Sequence, residues 1–218
     1  MKILITLSFI LCQVFISSPL LLPFELSKTM AAENLPSKDG CVYTYVLEAK
    51  NGLFTVSLLS NQTIKSPFNT TATAQVTLKV PTGDFKVTNL KNLVEGVEFN
   101  ENGRSNAPTE APTFDYIVFG LASIGTRNIT YTKDTKIPLF SFENSGECTG
   151  NLIYLMENYS DPFYPPNSQK ANVSQQITVA QTGSDLSIIC NDSPAISDCG
   201  EKLKKKKHKK KRRNKTKQ

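Results

Sequence analysis

The chain has 218 residues, a formal net charge of +6, no Trp and one His. Without its two ends, this length fits one domain of about 160 residues, which can bury a full core. Because the one imidazole, His208, lies in a run of lysines, the sequence excludes histidine-based metal sites within one chain and argues against Ser/His/Asp and Cys/His catalysis.

Charge is divided unevenly along the chain. Residues 201–218 contain 12 Lys and Arg and one Glu, a net charge of +11, so the first 200 residues carry 13 Lys and Arg against 18 Asp and Glu, a net charge of −5. The isoelectric point of about 9.0 therefore comes from the C-terminal end. The acidic remainder is a poor nucleic-acid platform, and we expect no specific nucleic-acid recognition.

The N-terminal segment predicts export. Lys2 is followed by a long apolar run that ends at Phe24, and a small-residue site follows at Thr29–Ala32. This order is typical of a secretory signal peptide, which we place at residues 1–32, so the mature protein is expected to be secreted or to lie at the cell surface. A retained N-terminal anchor is the alternative.

Four cysteines remain after such a cleavage. An even number in an oxidising compartment predicts two disulfides, with three possible pairings of Cys41, Cys148, Cys190 and Cys199. The short intervening loop favours Cys190–Cys199, which leaves Cys41–Cys148 as the second bridge. The alternative is that one or more thiols stay free.

The first strands are the clearest. Val42–Lys50 and Leu53–Ser60 flank Asn51–Gly52, and this dipeptide between two β-rich runs predicts a hairpin. In Ala72–Val80, apolar and polar residues alternate, which predicts a strand with one face in a core and one in water.

Further short strands are predicted downstream, with turn residues between them. They are Phe85–Leu90, Leu93–Phe99, Asp115–Leu121, Ile129–Thr132, Ile137–Glu143, Leu152–Glu157 and Ile177–Ala180. About nine to ten strands without a helical period predict an all-β fold, an antiparallel β-sandwich over residues 41–200. Phe140 and Phe142 are expected to supply core bulk.

Two predicted loops exceed hairpin length. Asn100–Thr113 is polar, whereas Asn158–Ala171 places aromatic residues among three prolines. Long loops on a rigid sandwich are where binding sites usually lie, and the prolines stiffen the second loop.

The second loop is the candidate ligand site. Sugar rings lie well on Tyr and Phe, and neighbouring amide and carboxylate groups can bond their hydroxyls. The alternative is that Phe163 closes the end of the core and the prolines merely shape a turn. The candidate ligand-binding residues are Tyr159, Asp161, Phe163, Tyr164 and Asn167.

Acidic residues could in principle serve glycoside hydrolysis or calcium binding, but their spacing indicates neither. Glu110, Asp115, Glu157 and Asp161 could supply the paired carboxylates of a glycosidase, but the sequence does not place any two at the required separation. Asp161 with Glu157 lacks the spacing of a calcium loop. We therefore predict no catalytic residue, no metal and no cofactor.

Seven Asn-x-Ser/Thr sequences occur along the chain. Their glycosylation depends on a eukaryotic secretory pathway and is left open. They begin at Asn61, Asn69, Asn128, Asn158, Asn172, Asn191 and Asn214.

Residues 201–218 are predicted to be disordered, because the run cannot bury apolar surface and repels itself. Each basic residue near an anionic surface contributes about 1 kcal/mol at moderate salt. The tail could therefore hold the domain on acidic polysaccharide, lipid headgroups or extracellular DNA without reading sequence; a solubilising tail without a particular partner is the alternative. The cationic residues are Lys204, Lys205, Lys206, Lys207, Lys209, Lys210, Lys211, Arg212 and Arg213.

Two stretches resemble a known family. Residues 72–99 and Lys136–Glu143, read KIPLFSFE, are similar to the cohesin-like sandwich modules of secreted bacterial proteins. The resemblance covers Asn51–Ala180 and implies a nine-stranded jelly roll, related to carbohydrate-binding modules, that binds rather than catalyses. The cysteines and the basic tail depart from the usual cohesin pattern, and no site residue is carried over.

These features predict a secreted, non-catalytic binding or adhesion module of the cell surface or extracellular matrix. Its partner is expected to be a polysaccharide or a surface protein, with anionic polymers or a membrane surface held through the tail. A small secreted carbohydrate-active enzyme with paired carboxylates and a purely structural envelope protein are the alternatives.

Overall fold

The computed structural model describes residues 41–146, 152–183, 189–192 and 195–196. These residues form eleven β-strands in two sheets, which confirms the predicted all-β sandwich. The predicted signal segment, the basic tail, Cys148 and Cys199 lie outside the described residues. The strands are β1 (Tyr43–Lys50), β2 (Leu53–Ser60), β3 (Thr71–Pro81), β4 (Val87–Asn92), β5 (Phe99–Ser105), β6 (Phe114–Leu121), β7 (Lys136–Asn144), β8 (Leu152–Leu155), β9 (Gln176–Val179), β10 (Ile189–Asp192) and β11 (Ala195–Ile196).

The two sheets have different strand orders. The first runs β10–β1–β2–β7–β4, and the second runs β11–β8–β3–β6–β5. Strand β9 pairs with the first half of β3, whereas β8 pairs with its second half. Strands β1 and β10 are parallel, and the other described strand pairs are antiparallel. The described residues contain no helix that is long and apolar enough to span a membrane.

The Asn51–Gly52 dipeptide forms the predicted hairpin. Both residues have positive φ, 54° and 82°, as a two-residue turn that matches the twist of its strands requires. The ladder of β1 and β2 continues without interruption from Lys50↔Leu53 to Tyr43↔Ser60.

Aromatic rings join the two sheets. Phe142 of β7 stacks on Phe54 of β2 with centroids 5.2 Å apart, and it also lies 5.5 Å from Phe119 of β6. Phe140 packs 4.9 Å from the same Phe119 ring. All four rings are buried, so the predicted contribution of Phe140 and Phe142 to the core is confirmed.

Two predicted strands are wrong. In the predicted strand Leu93–Phe99, residues 93–98 form a turn, since Gly96 adopts φ 67° and the Val97 N–H donates to the Val94 carbonyl at 3.1 Å, and Phe99 begins β5. Ile129–Thr132 forms only an isolated bridge between Tyr131 and Ile64. The polar stretch that we expected to be a loop instead begins with β5, which pairs with β6 across a bulge.

The disulfide pairing also differs from the prediction. Cys41 is bonded to Cys190, with their Cα atoms 5.7 Å apart, so the predicted Cys190–Cys199 and Cys41–Cys148 bridges are wrong. The physical reason is that β10 returns to lie beside β1, with Cys190 opposite Thr44, and so brings together two cysteines separated by 149 residues. The short loop between Cys190 and Cys199, on which the predicted pairing was based, does not indicate that β10 pairs with β1.

Candidate functional site

The outer face of the second sheet carries a second, smaller hydrophobic cluster. Tyr116 and Val118 of β6 pack there against Met156, Phe163 and Val173, all of them buried. We expected the polar face of β3 to meet water, but residues 156–175 cover its second half. Thr77 is consequently buried although its side chain is polar.

Gln175 attaches this covering segment to β3. Its Nε2 donates to the carbonyls of Thr77, at 2.6 Å, and Met156, at 3.2 Å, and its Oε1 accepts from the Thr77 N–H at 3.1 Å. One buried side chain thus replaces a strand neighbour. Asn158 extends the attachment, since its side chain exchanges two hydrogen bonds of 2.8 Å with the backbone of Gln175.

Asp161 connects the loop to β3 and β6. One carboxylate oxygen, Oδ1, accepts from the Tyr116 hydroxyl at 2.7 Å and from the Phe163 N–H at 3.0 Å. The other, Oδ2, forms a 2.7 Å ion pair with Lys79 Nζ, which also lies 4.5 Å from the centroid of the Phe114 ring. Burial, and then the hydrogen bond to Asp161, raises the pKa of Tyr116, so the phenol stays protonated and donates.

Polar side chains fix the rest of the loop. Asn167 Nδ2 donates to the carbonyls of Phe163 and Ala171, and its Oδ1 accepts from the Ala171 N–H. Glu110 accepts from the N–H of Ser168 at 2.6 Å and from its hydroxyl at 2.9 Å. The N–H of Ser168 is the main cause that lowers the pKa of Glu110. The neighbouring loop therefore supports the aromatic one.

Two tyrosines remain at the surface of the loop. Tyr159 is 63% exposed, and its ring lies 5.0 Å from that of half-buried Tyr164 at an interplanar angle of 50°. Burial, followed by the neighbouring Tyr159 phenol, raises the pKa of Tyr164. Tyr159 has φ 66°, a left-handed conformation that costs a non-glycine residue about 1 kcal/mol. We call Tyr159 and Tyr164 the tyrosine pair.

The structure brings the five candidate residues together in one loop but gives them different surroundings. Asp161 connects the loop to Tyr116 and Lys79, Asn167 bonds to the backbone of the loop, and Phe163 is a core residue of the second cluster. Among the five, Tyr159 is the exposed aromatic residue, whereas Tyr164 is half-buried and packs against the second cluster. Ligand binding by the pair stays a prediction. Sequence reasoning missed Gln175 and Ser168, because no local pattern marks a polar residue whose partners are distant in sequence.

The carboxylates considered for glycoside hydrolysis have different surroundings in the fold. Asp115 is buried and accepts from the N–H groups of Ala107 at 2.9 Å and Gly83 at 3.4 Å. Glu110 and Asp161 hold the loop, and Glu157 is exposed. Within the described ranges, no cluster of three or more His, Cys, Asp or Glu could hold a metal ion.

A separate cleft of about 740 Å³ lies between the edge strands β4 and β5. Arg104 crosses it to donate to the Phe85 carbonyl at 3.0 Å, and it pairs with Glu101 at 3.0 Å. Lys86 pairs with Asp84 at 2.7 Å. The cleft therefore has mixed charge, and the sequence did not reveal it because its walls meet only in the fold.

Comparison with known proteins gives fold likenesses alone. No known sequence family and no curated protein matches the chain. Among solved structures, the chain is similar to the cohesin of a type I cohesin–dockerin complex from Clostridium thermocellum, at 10% identity and a TM-score of 0.39, covering 73% of this chain and 94% of that one. The sixth cohesin of scaffoldin B from Acetivibrio cellulolyticus, in complex with a dockerin, matches at 10% identity and a TM-score of 0.39, covering 70% and 95%.

A third cohesin, the seventh type I cohesin of ScaB from Pseudobacteroides cellulosolvens, matches at 10% identity and a TM-score of 0.36, covering 70% of this chain and 88% of that one. The matched structures are thus cohesins, the family that the sequence resembles, and the TM-scores of the three are all below 0.4.

Proposed function

We propose that the chain is an exported, non-catalytic binding module that contacts carbohydrate through the tyrosine pair. One observation carries the proposal: Tyr159 is 63% exposed beside Tyr164, on a loop that Asp161 and Asn167 hold in place. An aromatic group held at the surface at a cost in backbone strain has a more natural explanation in binding than in folding.

The geometry of the pair suits a sugar. The two ring centroids lie 5.0 Å apart with the planes inclined by 50°, and the Tyr159 ring is the exposed one. The C–H face of a pyranose can lie on such rings while its hydroxyls bond to the phenols. Because Asp161, Asn167 and Glu110 already fix the loop, little conformational entropy is lost when a ligand binds.

The ends of the chain supply the rest of the proposal. The N-terminal apolar segment delivers the domain outside the cell, and residues 201–218, with a net charge of +11, adhere to anionic surfaces. Adhesion through the tail is electrostatic and depends on salt, whereas stacking on tyrosine does not. The salt dependence of binding therefore distinguishes adhesion through the tail from carbohydrate binding by the tyrosine pair.

The experiment is a binding panel of neutral and acidic polysaccharides, DNA and surface proteins, probed with the mature protein with and without residues 201–218. We expect one polysaccharide to be bound at high salt by both forms, and DNA to be bound only at low salt by the form with the tail. A truncated domain that binds no polysaccharide at high salt contradicts the proposal. A protein ligand that is bound instead would assign the tyrosine pair to protein recognition.

A further inference from the structure

The Lys79–Asp161 pair is the least solvated ion pair of the described part of the chain, since their side chains are 17% and 3% exposed. The ammonium lies 4.5 Å from the centroid of Phe114 and 5.8 Å from that of Tyr116, so aromatic rings take the place of water. An amine and a carboxyl held 2.7 Å apart in such a site are reactants as well as an ion pair.

The two carboxylate oxygens of Asp161 have different surroundings. Oδ2 contacts the lysine, whereas Oδ1 receives two hydrogen bonds, from the Tyr116 hydroxyl at 2.7 Å and from the Phe163 N–H at 3.0 Å. If the amine adds to the carboxyl carbon, negative charge develops on Oδ1, where these two donors already point. The arrangement is therefore that of an oxyanion hole beside a nucleophile.

We propose that Lys79 and Asp161 form an intramolecular isopeptide bond in the folded protein. A proton passes from the ammonium to Oδ2, and the neutral amine attacks the side-chain carbon Cγ to give a tetrahedral intermediate. A second proton passes from nitrogen to Oδ2, the Cγ–Oδ2 bond breaks, and water leaves. Nitrogen keeps one proton as the amide N–H, so ammonium and carboxylate are converted to amide and water without any other reactant.

Burial favours this product. The ion pair must keep two charges away from water, whereas the amide carries none. The oxygen that remains, Oδ1, becomes the amide carbonyl and keeps Tyr116 and the Phe163 N–H as its donors. The bond would join β3 to the loop of the tyrosine pair. Its formation does not depend on what that loop binds.

The test is peptide mapping of the mature protein made in a bacterial periplasm, where Asn-x-Ser/Thr sequences are not glycosylated. After reduction and unfolding, trypsin cuts at free lysine but not at an acylated one. We expect fragments 66–86 and 137–170 to be joined, with a combined mass that is lower by one water. Separate, unmodified fragments 66–79, 80–86 and 137–170 without any joined product would overturn the proposal.

Matched variants assign the chemistry. Lys79→Arg retains a cation and a trypsin site but lacks the nucleophilic amine, so it should give only separate fragments. Asp161→Asn should give the same joined product with release of ammonia instead of water. Tyr116→Phe removes one oxyanion donor and should lower the joined fraction. A joined product in Lys79→Arg would show that other residues are linked and would overturn the assignment.

Discussion

Glu110 accepts two hydrogen bonds from Ser168, one from its backbone N–H at 2.6 Å and one from its hydroxyl at 2.9 Å. The two residues are 58 positions apart, and the contact ties the loop before β6 to the loop of the tyrosine pair. Because both bonds are strongest to the ionised carboxylate, the stability of the loop depends on pH.

Glu110→Gln should lose a stabilisation that depends on pH. The N–H of Ser168 lowers the pKa of Glu110 in the folded state, so the stabilisation is complete above the ordinary carboxyl pKa and is lost as the pH falls through the lowered value. Urea unfolding between neutral pH and about pH 3 checks this. The difference between wild type and variant should shrink in acid, and an unchanged difference would contradict it. Exposed Glu157→Gln is the control, which should unfold as wild type does.

Gln175→Ala should destabilise the domain by about 1–3 kcal/mol, because it leaves the buried N–H of Thr77 without a partner. The Thr77 carbonyl keeps the Met156 N–H as a donor, and the Met156 carbonyl keeps Asn191 Nδ2. Denaturant titration measures the free energy of unfolding. The matched control is Gln181→Ala on an exposed turn, for which we expect almost no change. Equal effects of the two substitutions would show that Gln175 does not attach the loop to β3.

The Cys41–Cys190 bridge closes a loop of 149 residues, which in the chain-entropy picture stabilises the fold by up to about 5 kcal/mol. Replacing both cysteines by Ser should therefore lower the denaturant midpoint markedly. Replacing Cys148 and Cys199 instead should leave the Cys41–Cys190 peptide intact in a non-reducing map. A map that contains a Cys190–Cys199 peptide would contradict the structure.

Gly52→Ala should cost about 1 kcal/mol, because φ 82° at this turn position is strained for any residue with a Cβ. Apart from Gly52 and its two chain neighbours, no described residue has an atom within 4 Å of the position that an alanine Cβ would take, so the cost is one of backbone conformation and not of a clash. Asn51→Gly, at φ 54°, is the control that should be tolerated. Thermal unfolding of the two variants checks this, and equal melting temperatures for Gly52→Ala and Asn51→Gly would contradict the positive φ at Gly52.

Local signals predicted the early strands well. The Asn51–Gly52 turn and the alternation in β3 depend on neighbouring residues, so they could be read without knowledge of the fold. Edge strand β5 could not be predicted in this way. Only its terminal residues, Phe99 and Ser105, are buried, and the residues between them show no alternation of apolar and polar side chains. The predicted Leu93–Phe99 strand was wrong because Gly96 turns the chain, although four of the seven residues are large and apolar.

The candidate site was only partly predictable for the same reason. Aromatic residues among prolines marked the correct loop to inspect, but the inward direction of Phe163 and the partners of Asp161 depend on Tyr116 and Lys79, which are distant in sequence. The disulfide followed from the parallel return of β10 beside β1, which no local pattern indicates.

The most direct test of the proposed function compares Tyr159→Ala with Phe68→Ala in the protein without residues 201–218. The two aromatic residues are similarly exposed, 63% and 59%, and they lie at opposite ends of β3. Affinity for the polysaccharide found in the panel should fall about tenfold or more in Tyr159→Ala, which corresponds to about 1.4 kcal/mol, and should not change in Phe68→Ala. Equal affinities of both variants and wild type would contradict binding through the tyrosine pair.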